Sequence, residues 1–231
     1  MLGWSKALTW IVAVLFDLGG TIVKTASVPE TFRRILNLYG VESSLKEIER
    51  AHQIAEREIS LEDYKLPYTE FWAKWNRLIL QKLRVRKDIE ELSRVIVEAW
   101  WDNADVELYP DVEKTIWKLK EMKVKIGVVT NGFRRDADEV LKRVGLFSVF
   151  DVIVGVDSVG KPKPYREIFL YATRKIGVLP SRTLFVGDSL EIDYFGALRS
   201  GLKALLIDRD NKVMKRNIKK IKRLDEVIEY I

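Results

Sequence analysis

The chain has 231 residues, 47% of them hydrophobic and 32% charged, and a formal net charge of +6. This length can bury one large core, or a core with a smaller insertion; no apolar run approaches the ~18 residues of a membrane helix. Cysteine is absent, which excludes disulfides, thiolate catalysis and cysteine-held metals, and the single histidine, His52, reads as a solvated residue of a polar helix rather than a member of a Ser-His-Asp triad.

The positive balance suits small anionic molecules without establishing a nucleic-acid ligand. Lys6 precedes the first apolar run, but no small-residue cleavage site follows, so the expectation is a cytoplasmic protein without a signal peptide and without membrane attachment. Glutamine occurs only at Gln53 and Gln81 beside abundant Lys, Arg and Glu, a usage like that of heat-adapted proteins.

In chain order, Trp4 and Trp10 are expected against a sheet edge. The unbroken apolar run from Ile11 to Phe16 predicts a parallel strand buried on both faces, stopping abruptly at Asp17-Leu18-Gly19-Gly20-Thr21. In open α/β sheets chemistry gathers beyond the carboxyl ends of the strands, so Asp17 is delivered where it can react, although an ordinary Asp-Gly turn explains this segment equally well. From Thr25 to about Asp105 the pattern is helix after helix. Pro29 opens one that carries Phe32, Ile35, Leu36 and Tyr39 before Gly40; Glu42 to Ile59 is a second. Lys65 to Tyr68 reads as a loop, Thr69 as the N-cap of a helix with Phe71, Trp72, Trp75, Leu78 and Ile79, and Lys87 to Trp101 as a further helix. The tryptophans are expected to form this module's own core.

From Tyr109 strands and helices alternate. Helices are expected from Pro110 to Met122, Arg134 to Val144, Pro164 to Gly177 and Asp193 to Ser200; strands from Lys125 to Thr130, Val152 to Val156, Thr183 to Val186 and Ala204 to Ile207. Such alternation predicts an α/β fold, a Rossmann-like parallel sheet with helices on both faces, formed by residues 1–22 and 107–231, with residues 23–106 as an all-helical insertion after the first strand. The basic run from Lys212 to Arg223 is interleaved with Val213, Met214, Ile218 and Ile221 rather than aromatic platforms, and reads as a solvated face.

Three further strand ends carry polar signals: Thr130-Asn131-Gly132, Gly187-Asp188 followed by Asp193, and, between them, Gly160-Lys161-Pro162-Lys163-Pro164. Taken singly, turn chemistry and helix capping explain each. In this order, at one edge of one sheet, they form a constellation. On these residues the sequence resembles the haloacid dehalogenase superfamily over nearly its whole length, with Asp17 to Thr21, Thr130, Lys161, and Gly187-Asp188 with Asp193 as the four motifs, and the helical insertion similar to that family's α-helical cap, which covers the site and selects substrates.

The resemblance implies a phosphatase. Asp17 would attack phosphorus to give an aspartyl phosphate that water later cleaves. Mg²⁺, which favours oxygen donors, would be held by Asp17, Asp188 and the backbone carbonyl of Gly19. Thr130 with Asn131 and Gly132 would hold phosphate oxygens, Lys161 would offset the gathered negative charge, and Asp193 would orient Lys161 or a water. The sequence departs from the family at Gly19, where its phosphatases carry a second aspartate that protonates the leaving group; such acid-base catalysis is worth roughly 10² to 10⁴ in rate. The expected reading is a Mg²⁺-dependent phosphatase of small phosphorylated metabolites. Two alternatives stay open: a protein that binds phosphorylated ligands with little turnover, and a 2-haloacid dehalogenase, whose halide leaving group needs no proton.

Overall fold

A computed structural model of the protein describes residues 10–231. Two compact units divide the chain: Lys24–Glu107 forms one, and the first strand together with Leu108–Ile231 forms the other.

The elements follow in chain order. The first strand is β1 (Ala13–Phe16), followed by the short β2 (Val23–Lys24). Four helices come next, α1 (Val28–Leu38), α2 (Leu45–Glu58), α3 (Tyr68–Lys82) and α4 (Ile89–Ala99), before the short β3 (Glu107–Leu108). Then α5 (Val112–Glu121), β4 (Lys125–Val129), α6 (Arg134–Arg143), β5 (Val152–Val154) and α7 (Arg166–Ile176) alternate. The chain ends through β6 (Thr183–Gly187), a π-helical turn at Leu190–Phe195, α8 (Gly196–Arg199), β7 (Lys203–Ile207), β8 (Lys220–Ile221) and a 3₁₀ segment at Leu224–Tyr230.

The larger unit has a Rossmann-like α/β fold. Its sheet runs β5-β4-β1-β6-β7-β8 with every pairing parallel. All four residues of β1 are buried, as a central strand covered on both faces requires. Alternate side chains serve the two faces: Ala13 and Leu15 join Phe185, Ala204, Leu206 and the apolar stripe Ile168, Phe169, Ala172 and Ile176 of α7 in one core. Phe16 pairs in register with Val128 of β4 and with Val186 of β6, so the residues that follow these three leave adjacent strands at the same edge.

The helical unit has its own core. Phe32, Ile35 and Leu36 of α1, Ile48, Ala51 and Ala55 of α2, Ile79 and Leu80 of α3, and Leu92 and Ile96 of α4 bury against one another, with Trp75 and Trp100 packed at the margin. Local signals start the helices. Ser27 with Glu30, and Ser44 with Glu47, close reciprocal capping boxes at α1 and α2, and the Asp88 carboxylate accepts from the amides of Glu90 and Glu91 at α4.

Helix α3 begins at Tyr68, its first turn closed by Phe71 N–H donating to the Pro67 carbonyl at 3.0 Å, so Thr69 lies inside the helix and is not its cap. His52 is half-buried, its ring 5.7 Å from that of Trp75, and burial lowers its pKa below the ordinary histidine value. Trp10 is exposed, and Trp4 lies outside the described residues. The helix expected from Asp193 starts earlier, as the π-helical turn from Leu190. Within the basic run, Ile221 is buried in β8, and Lys220 donates to Asp208, to Asn211 and to the Val213 carbonyl at 2.8–2.9 Å; that part of the run is sheet, not a solvated face.

Truncating Phe32, fully buried and edge-on to Trp100 at 6.3 Å, opens a cavity in the helical unit. Phe32→Ala is expected to cost about 3–5 kcal/mol, against about 1 kcal/mol for Ser44→Ala, which removes one cap; urea unfolding followed by far-ultraviolet circular dichroism measures both.

Candidate active site

The carboxyl edge of the sheet gathers the acids. Asp17 follows β1, and its N–H donates to the Val186 carbonyl of β6 at 2.9 Å, which fixes the first residue beyond the strand. Asp188 follows β6, and Asp193 sits in the π-helical turn, where its side chain accepts from Ser189 N–H at 3.0 Å. One carboxylate oxygen from each of Asp17, Asp188 and Asp193 lies within 4.8 Å of the others. Asp17 and Asp193 are buried, and Asp188 is exposed.

Two glycines make this approach possible. Gly20 has φ +74, a left-handed conformation in which any side chain is strained, and a Cβ there would collide with the Asp188 carboxylate. A Cβ on Gly187 would likewise meet the Asp193 side chain. Gly19 is different: a Cβ built there has nothing within 4 Å.

The cation among these acids is Lys163. Its ammonium is 2.5 Å from Asp17 Oδ1 and 2.8 Å from Asp193 Oδ1, and its side chain is only 2% exposed. Burial alone would lower its pKa, but the two carboxylates hold it above the usual lysine value. Burial, opposed by Lys163 and reinforced by repulsion from Asp193 and Asp188, pushes Asp17 up to about 7. Asp188 is raised as well, first by partial desolvation of its carboxylate and then by Asp193.

Lys161 does not join this cluster. Its side chain is 42% exposed and pairs with Glu167 at 2.5 Å, so the lysine expected at the site is replaced by the one two residues later. The register around the prolines decides this, because Asn131 grips Lys163 by its backbone: the Lys163 N–H donates to Asn131 Oδ1 at 2.6 Å, and Asn131 Nδ2 donates to the Lys163 carbonyl at 3.0 Å. The Asn131 side chain is therefore occupied in holding the lysine's loop. The Gly132 N–H is engaged too, donating to Thr130 Oγ1 at 3.1 Å. Thr130 itself stands at the end of β4, two residues beyond Val128, the register partner of Phe16. Lys163 is a buried cation of the cluster that the sequence did not single out; the signal there was that Lys-Pro occurs twice in succession.

Asp17, Asp188 and Asp193 bring together hard oxygen donors of the kind that hold Mg²⁺. When the three acids are ionised, three carboxylates face one ammonium, and this charge imbalance fits a divalent cation.

Residues 11–201 match the family model described as haloacid dehalogenase-like hydrolase. The chain is 31% identical over 203 residues, 86% of its length and 84% of the relative's, to a glyceraldehyde 3-phosphate phosphatase from Methanopyrus kandleri. It is 29% identical over 196 residues, 84% of its length and 83% of the relative's, to a phosphoglycolate phosphatase from Aquifex aeolicus. The fold resembles the crystal structure of a 2-haloacid dehalogenase from Pseudomonas syringae with a TM-score of 0.75 at 22% identity, covering 95% of this chain and 97% of that one.

The two lysines separate in a stability measurement. Lys163→Met leaves two buried carboxylates without their counter-charge and is expected to cost about 3–5 kcal/mol, whereas Lys161→Met at an exposed pair should stay within about 0.5 kcal/mol; urea denaturation of both variants at pH 8 checks the difference.

Proposed function

The chain belongs to the haloacid dehalogenase-like hydrolases, and from that premise we propose that it is a Mg²⁺-dependent phosphatase of small phosphorylated metabolites working through an aspartyl phosphate on Asp17. The observation that carries this reading is the meeting of three carboxylates within 4.8 Å of one another, two of them bridged by the buried Lys163. A phosphate monoester brings further negative charge to a site that already holds an excess of it, so the cluster is useful to such a substrate only with a divalent cation present. Asp17, Asp188 and the Gly19 carbonyl would hold that cation, which would offset the charge on the transferring phosphoryl group.

The chain's own groups do the rest. Asp17 Oδ2 attacks phosphorus while Oδ1 stays on Lys163, which keeps the nucleophile in one rotamer and offsets its charge. Asp193 is a positioning residue, gripping the same ammonium from the other side. The Thr130 hydroxyl, beyond the neighbouring strand, is the donor proposed for a phosphate oxygen. No side chain at position 19 protonates the leaving group, so esters with good leaving groups are favoured. The helical unit Lys24–Glu107 is proposed as the substrate-selecting cap.

The glycine at position 19 favours a second reading, a phosphorylated-ligand-binding protein with little turnover. The two separate on Gly19→Asp, whose Cβ meets no clash, since nothing lies within 4 Å of it.

On the phosphatase reading p-nitrophenyl phosphate is hydrolysed with Mg²⁺ and not with chelator, and Asp17→Asn falls to background. Turnover unaffected by chelator, or halide release from a 2-haloacid, sinks the assignment. Gly19→Asp is expected to raise hydrolysis of alkyl phosphates, including glyceraldehyde 3-phosphate and phosphoglycolate, by about 10²-fold; no gain with intact phosphate binding supports the binding protein instead.

A further inference from the structure

The loop after Asp17 is held from outside by a residue far along the chain. Gly19 and Gly20 make that loop intrinsically soft, since glycine populates more backbone conformations than any other residue. Inside it, Ile22 and Val23 N–H donate to the Leu18 carbonyl at 2.9 and 3.0 Å, and Gly20 N–H donates to the Val23 carbonyl at 2.8 Å. These bonds close the loop on itself without anchoring it to the sheet.

Beyond the bond from Asp17 N–H to Val186 at its start, a side-chain anchor is Arg209, just beyond β7. Its Nη2 donates to the Thr21 carbonyl at 2.9 Å, and its Nη1 donates to Asp111 Oδ2 at 2.7 Å. The guanidinium lies 3.8 Å from the centre of the Tyr109 ring. Tyr109 N–H in turn donates to the Ile22 carbonyl at 3.2 Å, and Asp111 Oδ2 also accepts from Leu224 N–H at 2.7 Å. Burial and hydrogen bonds from Arg209 and Leu224 act in opposite senses on the Asp111 carboxyl, and the bonds win, holding it below the ordinary aspartate pKa. One planar side chain thus joins the segment that leaves the sheet unit after β1 to the segment that returns to it at Tyr109, all within that unit.

We propose that Arg209 is a positioning residue for the loop that carries Asp17, fixing through the Thr21 carbonyl the backbone on which the nucleophile and the Gly19 carbonyl stand. For its catalytic consequence the inference rests on the reading of Asp17 as nucleophile. The task requires a fork: two donors in fixed directions and a flat face against Tyr109, which a lysine ammonium cannot supply together. Loosening the loop moves a reacting carboxylate without removing any group that binds phosphate, and displacements on the order of 1 Å at a nucleophile cost about 10²-fold in rate.

Hydrogen exchange tests this without relying on catalysis. In Arg209→Ala the Ile22 and Val23 amides are expected to exchange about tenfold or more faster, while amides of β4 and β6 keep their protection. With p-nitrophenyl phosphate, kcat should fall by about 10²-fold with KM within about threefold. If Arg209→Ala does not fold, Arg209→Lys, which keeps the charge and loses the fork, must show the same loop-selective exchange. Unchanged exchange at Ile22 and Val23 in a folded variant overturns the proposal, and faster exchange with unaltered kcat reduces Arg209 to a structural tie. Failure of the wild-type protein to hydrolyse any ester would remove the phosphatase reading while the exchange experiment still decided the clamp.

Discussion

The ammonium of Lys163 lies between two carboxylates that repel each other in a buried place. At an effective dielectric constant near 20, two charges closer than 4.8 Å repel by about 3 kcal/mol or more. With three such acids the total rivals the few kcal/mol by which a domain is stable at all. Lys163 relieves the Asp17–Asp193 contact directly, and the surplus of negative charge that remains is what a divalent cation would relieve. Stability without ligand and usefulness with ligand therefore depend on the same contacts, and removing the lysine leaves two buried charges uncompensated.

The backbone arranges this. Three neighbouring parallel strands, β4, β1 and β6, end at one level, so the residues beyond Val129, Phe16 and Gly187 are neighbours in space although more than a hundred residues separate the first from the last of them in sequence. Glycine at 20 and 187 removes the side-chain bulk that would hold the acids apart. Asn131 then grips the Lys163 backbone from the β4 side, and Arg209 grips Thr21 from the β7 side. Asp17 and Thr130 thus stand at strand ends whose own backbones are tied to a neighbouring strand, through Asp17 N–H to Val186 and Thr130 N–H to Val154.

The helical unit follows another logic. Three of its four helices begin at side-chain caps, Ser27, Ser44 and Asp88, and the four bury their spaced apolar residues against each other. Helices of this kind take most of their stability from such packing rather than from propensity. His52 shows how packing overrides local composition: it sits in a charged stretch, yet the ring of Trp75 covers it.

The sequence by itself determined the α/β alternation, the buried first strand, the helical insertion and three of the four charged residues of the cluster, Asp17, Asp188 and Asp193, because each rests on a local signal: hydrophobic period, a glycine, a strand end. It pointed to the wrong one of two lysines separated by one proline, Lys161, since period and composition are the same for both. Only the tertiary structure decided for Lys163, through hydrogen bonds exchanged with Asn131, thirty-two positions away. The same holds for β8, where Lys220 and Ile221 look like part of a solvated basic run until Asp208 and the edge of β7 supply partners, and for Arg209, whose role exists only because Thr21, Tyr109 and Asp111 meet it in space. Long-range pairing is paid for by contacts that no window of sequence contains.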